Sequence, residues 1–431
     1  MRYESWGRWI PSEPARVIPL QWTSSIPRFD AESSVLAYGM GRSYGDVCLN
    51  NGSTLLDTRG LSRFRRLDDD GILECEAGAT LEDILRLVVP RGWFVPVTPG
   101  TKFVTLGGCI ANDVHGKNHH RAGTFGRYVR SFQLLRSDGS LVRCSRDENV
   151  ELYRATIGGL GLTGLVVTVE LQLRRIASPM MRVEQLPFHT IDEFESISRA
   201  SDAYDYTVAW FDCFGGRAAR GIFFRGNHEA EWSAAVPAAG PAASRRRFPV
   251  GLFAPFLVPL TVRAFNALYY HAQKKSAPRA VHYEPFFYPL DRLANWNALY
   301  GRHGFMQYQC VIPHEAGLEP VKAILDRTAS SRRSSFLTVI KTFGDIESPG
   351  LLSFPRPGTT VCLDFAAGET SLLTMLEGFD DVVEEARGSV YPAKDSRMSP
   401  KRFRTFFPQW EQLAALADPK FSSTFWRRVT S

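Results

Sequence analysis

Residues 159–164, GLGLTG, have the G-x-G-x-x-G spacing, and the residues after them exclude the fold this spacing most often announces. A dinucleotide-binding βαβ unit needs a strand before the glycines and a helix after them. Here LVVTVELQL comes next, and its alternation of apolar and polar residues predicts a strand. The glycines are therefore expected to bring backbone close to another backbone or to a ligand. Two further glycine-rich turns precede them. GMGRSYGD, residues 39–46, has glycines at 39, 41 and 45, with Arg42 between them. Such a turn can aim several backbone N–H groups at one anion, although an ordinary tight loop shares its composition. Residues 98–126, TPGTKFVTLGGCIANDVHGKNHHRAGTFG, form the third and most polar of these stretches.

Around the turns, SVLAYGM, STLLDT, GILECEAG and VRSFQLLRSDG predict short strands bounded by turn residues. TLEDILRLVVPRG predicts a helix opened by a capping box between Thr80 and Asp83 and ended by Pro90 to Gly92. The first half is thus α+β. Composition shifts after Arg175. AAVPAAGPAASRRRFPVG looks like an exposed connection, and YTVAWFDC, MQYQCVIP, SFLTVIKTFG and TTVCLDF predict a second, sheet-based domain. The tail, GSVYPAKDSRMSPKRFRTFFPQWEQLAAL, is expected to be a turn-rich basic piece followed by a helix. A length of 431 residues makes two domains the default.

A net charge of +6 suits anionic small molecules or a membrane surface and decides little alone. Nucleic acid is not expected as a partner, because the arginines are scattered and no reader motif occurs. The seven cysteines include no C-x-x-C pair, which argues against a zinc ribbon or a disulfide framework and for a reducing compartment. The N-terminus has no apolar signal-like core and no run of eighteen apolar residues exists, so the expectation is a cytoplasmic protein, with peripheral contact at the inner membrane. His115, His119 and His120 in HGKNHH lack the helical H-E-x-x-H pattern and a cysteine partner, so no metal is expected. Lys394 in YPAKDSR is either a solvated charge or a pocket lysine whose pKa burial would lower.

Taken together, the three glycine turns resemble the FAD domain of the vanillyl-alcohol-oxidase / p-cresol methylhydroxylase flavoprotein family. GRSYGD, HGKNHH, QYQ and YPAKDSR resemble its decaprenylphosphoryl-β-D-ribose 2′-oxidase branch, over about residues 30–425. The resemblance implies a two-domain α+β flavoprotein. Residues 1–178 would form an FAD-binding part with two subdomains, 179–387 a substrate domain with an antiparallel sheet, and 388–431 a return to the FAD-binding domain. It implies FAD held by Gly39, Met40, Gly41, Arg42, Ser43, Tyr44 and Gly45 in the first turn. Gly100, Thr105, Leu106, Gly107, Gly108, Asn112, Asp113, Val114 and His115 would hold it in the second. Gly159, Gly161, Gly164 and Val166 would line its adenine end, and Tyr391 would touch the flavin from the tail. Covalent family members carry a flavin-linking histidine in the first turn; this chain has GRSYG, which implies non-covalent FAD. The substrate side would use Tyr44, Lys117, Trp210, Gln307, Gln309, Lys341, Phe343, Cys362 and Lys394. Thr360 departs from the asparagine expected two residues before the pocket cysteine.

The reaction implied is oxidation of the ribose 2′-hydroxyl of a polyprenylphosphoryl-β-D-ribose to a ketone by hydride transfer to flavin N5. It would be the first step of an epimerisation to the arabinose donor of cell-wall polysaccharide, completed by a short-chain-dehydrogenase-type reductase. The hydroxyl proton needs an acceptor with a pKa near the working pH, and Lys394 and His115 are both candidates, with Tyr44 beside them. The competing expectations are an FAD-dependent oxidase of a soluble sugar, alditol or aldonolactone, and a flavin-free scaffold that kept the fold. RRRFPVGLFAPFLVPLTV, residues 245–262, is expected either to dock on an anionic membrane or to pack on the second domain.

Overall fold

The strand that closes off the dinucleotide-binding alternative is the centre of a sheet. In the computed structural model, which describes residues 2–29, 34–231, 259–274, 277–333, 335 and 337–431, it runs from Leu165 to Gln172. It pairs antiparallel with Ile72–Glu76 on one side and Val129–Leu135 on the other. Phe64–Leu67 and Leu141–Ser145 complete a five-stranded sheet. A smaller three-stranded sheet of Arg16–Pro19, Thr54–Asp57 and Val35–Tyr38 is parallel. The helix Leu81–Val88 has both arms of the Thr80/Asp83 capping box, and Pro90 and Gly92 (φ 76°) end it as expected.

The glycine turns hold these pieces together by backbone contact. Gly158 N–H donates to Ile110 O at 2.9 Å, and Leu160 N–H to Ala111 O at 2.8 Å. A Cβ at residue 164 would press on Leu135 O, so the third turn packs as only glycine allows.

Eight antiparallel strands form the largest sheet, in the order Arg279–His282, Met180–Phe188, Gly221–His228, Tyr206–Phe211, Thr338–Phe343, Gly358–Ala366, Phe305–Pro313 and Ser389–Val390. Side chains alternate between its faces. Tyr308, Cys310, Ile312, Leu363 and Ile340 pack in one core with Ile324 and Leu325 of Glu319–Ser330 and Leu376 and Phe379 of Thr370–Glu385. The intervening residues Gln307, Gln309, Cys362, Thr360 and Lys341 therefore face the other way, toward the glycine turns. Residue 178 lies just before the first strand of this sheet, and the chain leaves the sheet only after Val390.

The tail departs from expectation. SPKRFRTFF is not a turn: Pro400–Phe406 is a helix, with Ser399 Oγ accepting from Arg402 N–H and proline at its first position. That serine–proline pair is a helix-start signal. Helices Trp410–Leu416 and Thr424–Thr430 come after it. Two arginines bolt the tail down. Arg397 makes paired 2.7 Å bonds to Asp380. Arg428 bridges the buried carboxylates of Asp46, beside the first glycine turn, and Asp395, at 2.7 and 3.0 Å. Replacing Arg428 by methionine strands two buried carboxylates, and removing one partner of such a set costs roughly 3–5 kcal/mol. Chemical denaturation of Arg428→Met should show a loss of about 3 kcal/mol; an unchanged midpoint would deny the clamp its role.

Candidate active site

One cavity of ≈ 800 Å³ lies between the glycine turns and the polar face of the eight-stranded sheet. That volume falls in the upper part of the range for small-molecule and cofactor sites. Most residues expected at a site border it, from all three turns, the sheet and the tail. Five lie behind its wall. A Cβ at Gly45 would overlap the carbonyl oxygen of Asp395, and one at Gly159 would overlap that of Ala155. Leu106 is core. Asp113, fully buried at φ +38°, accepts from Gly126 N–H at 2.8 Å and from the hydroxyls of Ser348 and Ser353, so it fixes the second turn. Phe343 is fully buried and meets the His115 ring edge-on at 4.9 Å, bracing it.

On the glycine side, Thr105 caps the helix Leu106–Ala111, its Oγ1 accepting from Gly108 N–H at 3.2 Å. Gly39 packs directly on that threonine. Asn112 Nδ2 donates to Gly108 O, which leaves its buried Oδ1 without a partner among the described residues. Tyr391 stacks on Phe354 at 4.6 Å and donates its hydroxyl to Asn112 O at 3.1 Å, which ties the tail to this turn.

On the sheet side, strand register sets the spacing. Gln309 stands opposite Cys362, Gln307 opposite Asp364, and Lys341 opposite Thr360. A directed chain of hydrogen bonds runs through them. Thr360 Oγ1 donates to Cys310 O at 2.8 Å, so it accepts from Gln309 Nε2 at 3.0 Å. The same amide nitrogen lies 3.1 Å from His115 Nε2. An amide nitrogen only donates, so Nε2 accepts and the ring proton sits on Nδ1, which is buried and has no partner among the described residues. Burial, with the Lys341 and Lys394 cations, holds the His115 pKa well below its ordinary value. The imidazole is therefore neutral.

Three lysines converge here. Lys117 Nζ donates to Phe286 O and lies over the Phe286 ring, and burial pushes its amine down to about 7. Lys341 Nζ donates to Gly116 O at 3.3 Å, and burial, joined by the Lys394 and Lys117 charges, lowers it to about 7 as well. Lys394 Nζ lies 3.3 Å from Cys362 Sγ and 5.3 Å from the centre of the Tyr44 ring. Burial pushes the Cys362 thiol up to about 11, so this contact is not an ion pair.

A model of the FAD binding domain matches residues 30–145. The chain is 34% identical to decaprenylphosphoryl-β-D-ribose oxidase of Mycolicibacterium smegmatis, covering 99% of this chain and 97% of that one. It is also 34% identical, over 81% of its length, to an uncharacterised protein of Streptomyces coelicolor, of which 99% is covered. Human Δ(24)-sterol reductase is 29% identical over only 29% of this chain. The chain belongs to the decaprenylphosphoryl-β-D-ribose oxidase family. As a member of that family it is an FAD-dependent oxidoreductase.

The cavity suits the cofactor of the family. Gly100 leaves open space where a side chain would stand, Gly161 meets only Leu36, and the buried Asn112 Oδ1 and His115 Nδ1 have no partner among the described residues. The family motifs also left residues unmarked. Asp364, fully buried opposite Gln307, carries no motif; only its place two residues beyond Cys362 put it on the polar face. Trp210, Phe265 and Tyr269 make an apolar arm of the cavity with the helix Pro259–Gln273, and only the first of the three was foreseen. Asp291, pushed up to about 6 by burial, borders the cavity from a loop without periodicity. Gly39→Ala forces a methyl against Thr105. Overpacking costs roughly 1–3 kcal/mol, so FAD retention should weaken about tenfold, read as flavin absorbance per chain after gel filtration. Full retention would show that this contact yields.

Proposed function

We propose that this protein oxidises the 2′-hydroxyl of a polyprenylphosphoryl-β-D-ribose to a ketone, the first half of an epimerisation that a separate reductase completes. The observation that carries this is the meeting of Lys394, Lys117, Lys341, Gln307 and Gln309 at one cavity whose opposite wall is the glycine turns. A secondary alcohol bound there faces hydrogen-bond donors on one side and the place for the cofactor on the other. FAD held by the glycine turns would supply the two-electron acceptor for the carbon-bound hydrogen. Residues 1–178 with 388–431 would hold it, and 179–387 would cover it with the substrate sheet. Ser43 at the wall supports non-covalent attachment.

The chain itself must place the sugar and move the hydroxyl proton. His115 is poorly suited to accept it, because its only lone-pair nitrogen is occupied by Gln309. Lys394 Nζ, 3.3 Å from the Cys362 thiol, is the group placed to bind the reacting hydroxyl, and it receives the proton only as the free amine. Among the described residues no carboxylate is hydrogen-bonded to Lys117 or Lys341, and a substrate phosphate would complete them. The apolar arm at Trp210, Phe265 and Tyr269 favours a prenyl chain over a free alditol. The segment suggested for membrane docking lies, from 245 to 258, outside the described residues. No helix among the described residues is long and apolar enough to cross a membrane.

Purified protein should be yellow and should release its flavin into the supernatant on acid precipitation. A prenylphosphoryl-β-D-ribofuranoside should bleach it anaerobically; bleaching by free alditols alone would replace this reading with the soluble-sugar one. Lys394→Met should lower kcat by roughly 10²–10⁴-fold, the usual worth of a proton-transfer group. His115→Gln should cost far less and keep the pH dependence of kcat. The reverse ranking would return the base to His115.

A further inference from the structure

Asp364 is a buried carboxylate that the proposed chemistry does not use. It is fully buried on Gly358–Ala366, and no arginine or lysine hydrogen-bonds to it among the described residues. Gln307, directly opposite across the strand pair, donates Nε2 to Oδ1. Tyr300 donates its hydroxyl to Oδ2 at 3.4 Å, and Ser335 Oγ holds the backbone N–H at 2.8 Å. The other groups whose charge bears on this carboxylate come from three elements. They are Tyr44 of the first glycine turn, Cys362 of its own strand and Lys394 of the C-terminal turn.

An amide is planar, so fixing its nitrogen fixes its oxygen. With Nε2 tied to Asp364, Gln307 Oε1 points away from the carboxylate. It is buried, belongs to a cavity-lining side chain, and has no partner among the described residues. A buried acceptor in that state needs a donor. The opposite orientation would set the amide oxygen against a carboxylate, where lone pairs repel. We propose that Asp364 is a positioning residue that locks the Gln307 amide with its oxygen toward the cavity, making Gln307 an acceptor for a sugar hydroxyl. This rests on the sugar-oxidation reading and specifies how one hydroxyl is recognised.

Burial pushes the Asp364 carboxyl up to about 7. Above that, the charged form keeps the amide oxygen turned to the cavity. Below it, the protonated carboxyl donates to Oε1, the amide ends exchange, and the cavity meets N–H donors instead. Recognition of the hydroxyl therefore improves as pH rises through this range. Lys117 and Lys341 titrate in the same range with the opposite sign for an anionic ligand, so the Asp364 limb is identified by its loss in variants.

The test uses the holoenzyme and a farnesylphosphoryl-β-D-ribofuranoside. Asp364→Asn has no charge to enforce one orientation: its oxygen can still accept from Gln307 Nε2, and its N–H can instead donate to Oε1. It should raise KM about tenfold, the worth of a hydrogen bond lost to a buried acceptor, with kcat changed by less than about threefold. The rise of kcat/KM through neutral pH should disappear, and Asp364→Glu should restore part of it. Gln307→Met, which leaves the carboxylate in place, should lose the same limb, and it decides the matter should Asp364→Asn fail to hold flavin. Wild-type KM and pH profile in Asp364→Asn, or a retained limb in Gln307→Met, would overturn the role of Asp364. A wild-type enzyme that leaves the probe unoxidised would overturn the sugar reading and this inference with it.

Discussion

The backbone N–H of Tyr44 donates to Ala393 O at 2.8 Å, and the rest of the site depends on that junction. It joins the first glycine turn to the turn that carries Lys394. Tyr391 N–H donates to Gln309 O at 2.9 Å on the other side, so the turn at residues 391–394 is also pinned to the eight-stranded sheet. Gly45 is bare because the Asp395 carbonyl occupies the space its side chain would need. Lys394 is thus fixed by main chain from both halves of the molecule, and only its own side-chain torsions remain free. A lysine held that way can meet a substrate atom repeatedly in one geometry, which is what orientation contributes to catalysis.

The charges around it are a consequence of enclosure. Burial penalises each ammonium, and neighbouring ammoniums penalise one another. Lys117 and Lys341 respond by falling to about 7, and His115 by staying neutral. A site of this kind is costly empty and relaxed when an anion enters. Carboxylates lie near, yet each is otherwise engaged: Asp395 with Arg428, Asp380 with Arg397, and Asp113 with two serines. Asp364 instead meets Gln307 and Tyr300, with no cation hydrogen-bonded to it among the described residues.

Much of this was legible beforehand because it is local. A capping box is two residues three apart, and the period-2 run after GLGLTG fixes a strand without knowing its neighbours. The cavity lining at 39–44 was legible because glycine clusters mark close approach. What escaped were consequences of distant pairing. Gly45, Asp113 and Phe343 look like site residues in a motif, and become supports only when Asp395, Ser348 or His115 is brought beside them. Asp364 was invisible for the converse reason: its partner is 57 residues away, and the register that joins them is set by the strands between. The helix Pro400–Phe406 is different, since its serine–proline start was present in the sequence and was outweighed by the density of basic residues around it.

Thr360, the position at which this chain departs from the expected asparagine, shows how register turns one substitution into chemistry. A hydroxyl has one proton, and Cys310 O takes it. Thr360 Oγ1 can then only accept, and what it accepts is one proton of Gln309 Nε2. The second proton of that nitrogen goes to His115, which decides the tautomer of the ring. An asparagine nitrogen placed there could not accept, and its oxygen could satisfy Gln309 without being anchored to Cys310. The threonine therefore fixes the amide row, whose donations run outward from Gln309 Nε2 to Thr360 and Cys310 on one side and to His115 on the other. That arrangement consumes the one lone pair of the imidazole, while Lys394 beside it takes its position from the backbone junction at Tyr44 and Ala393.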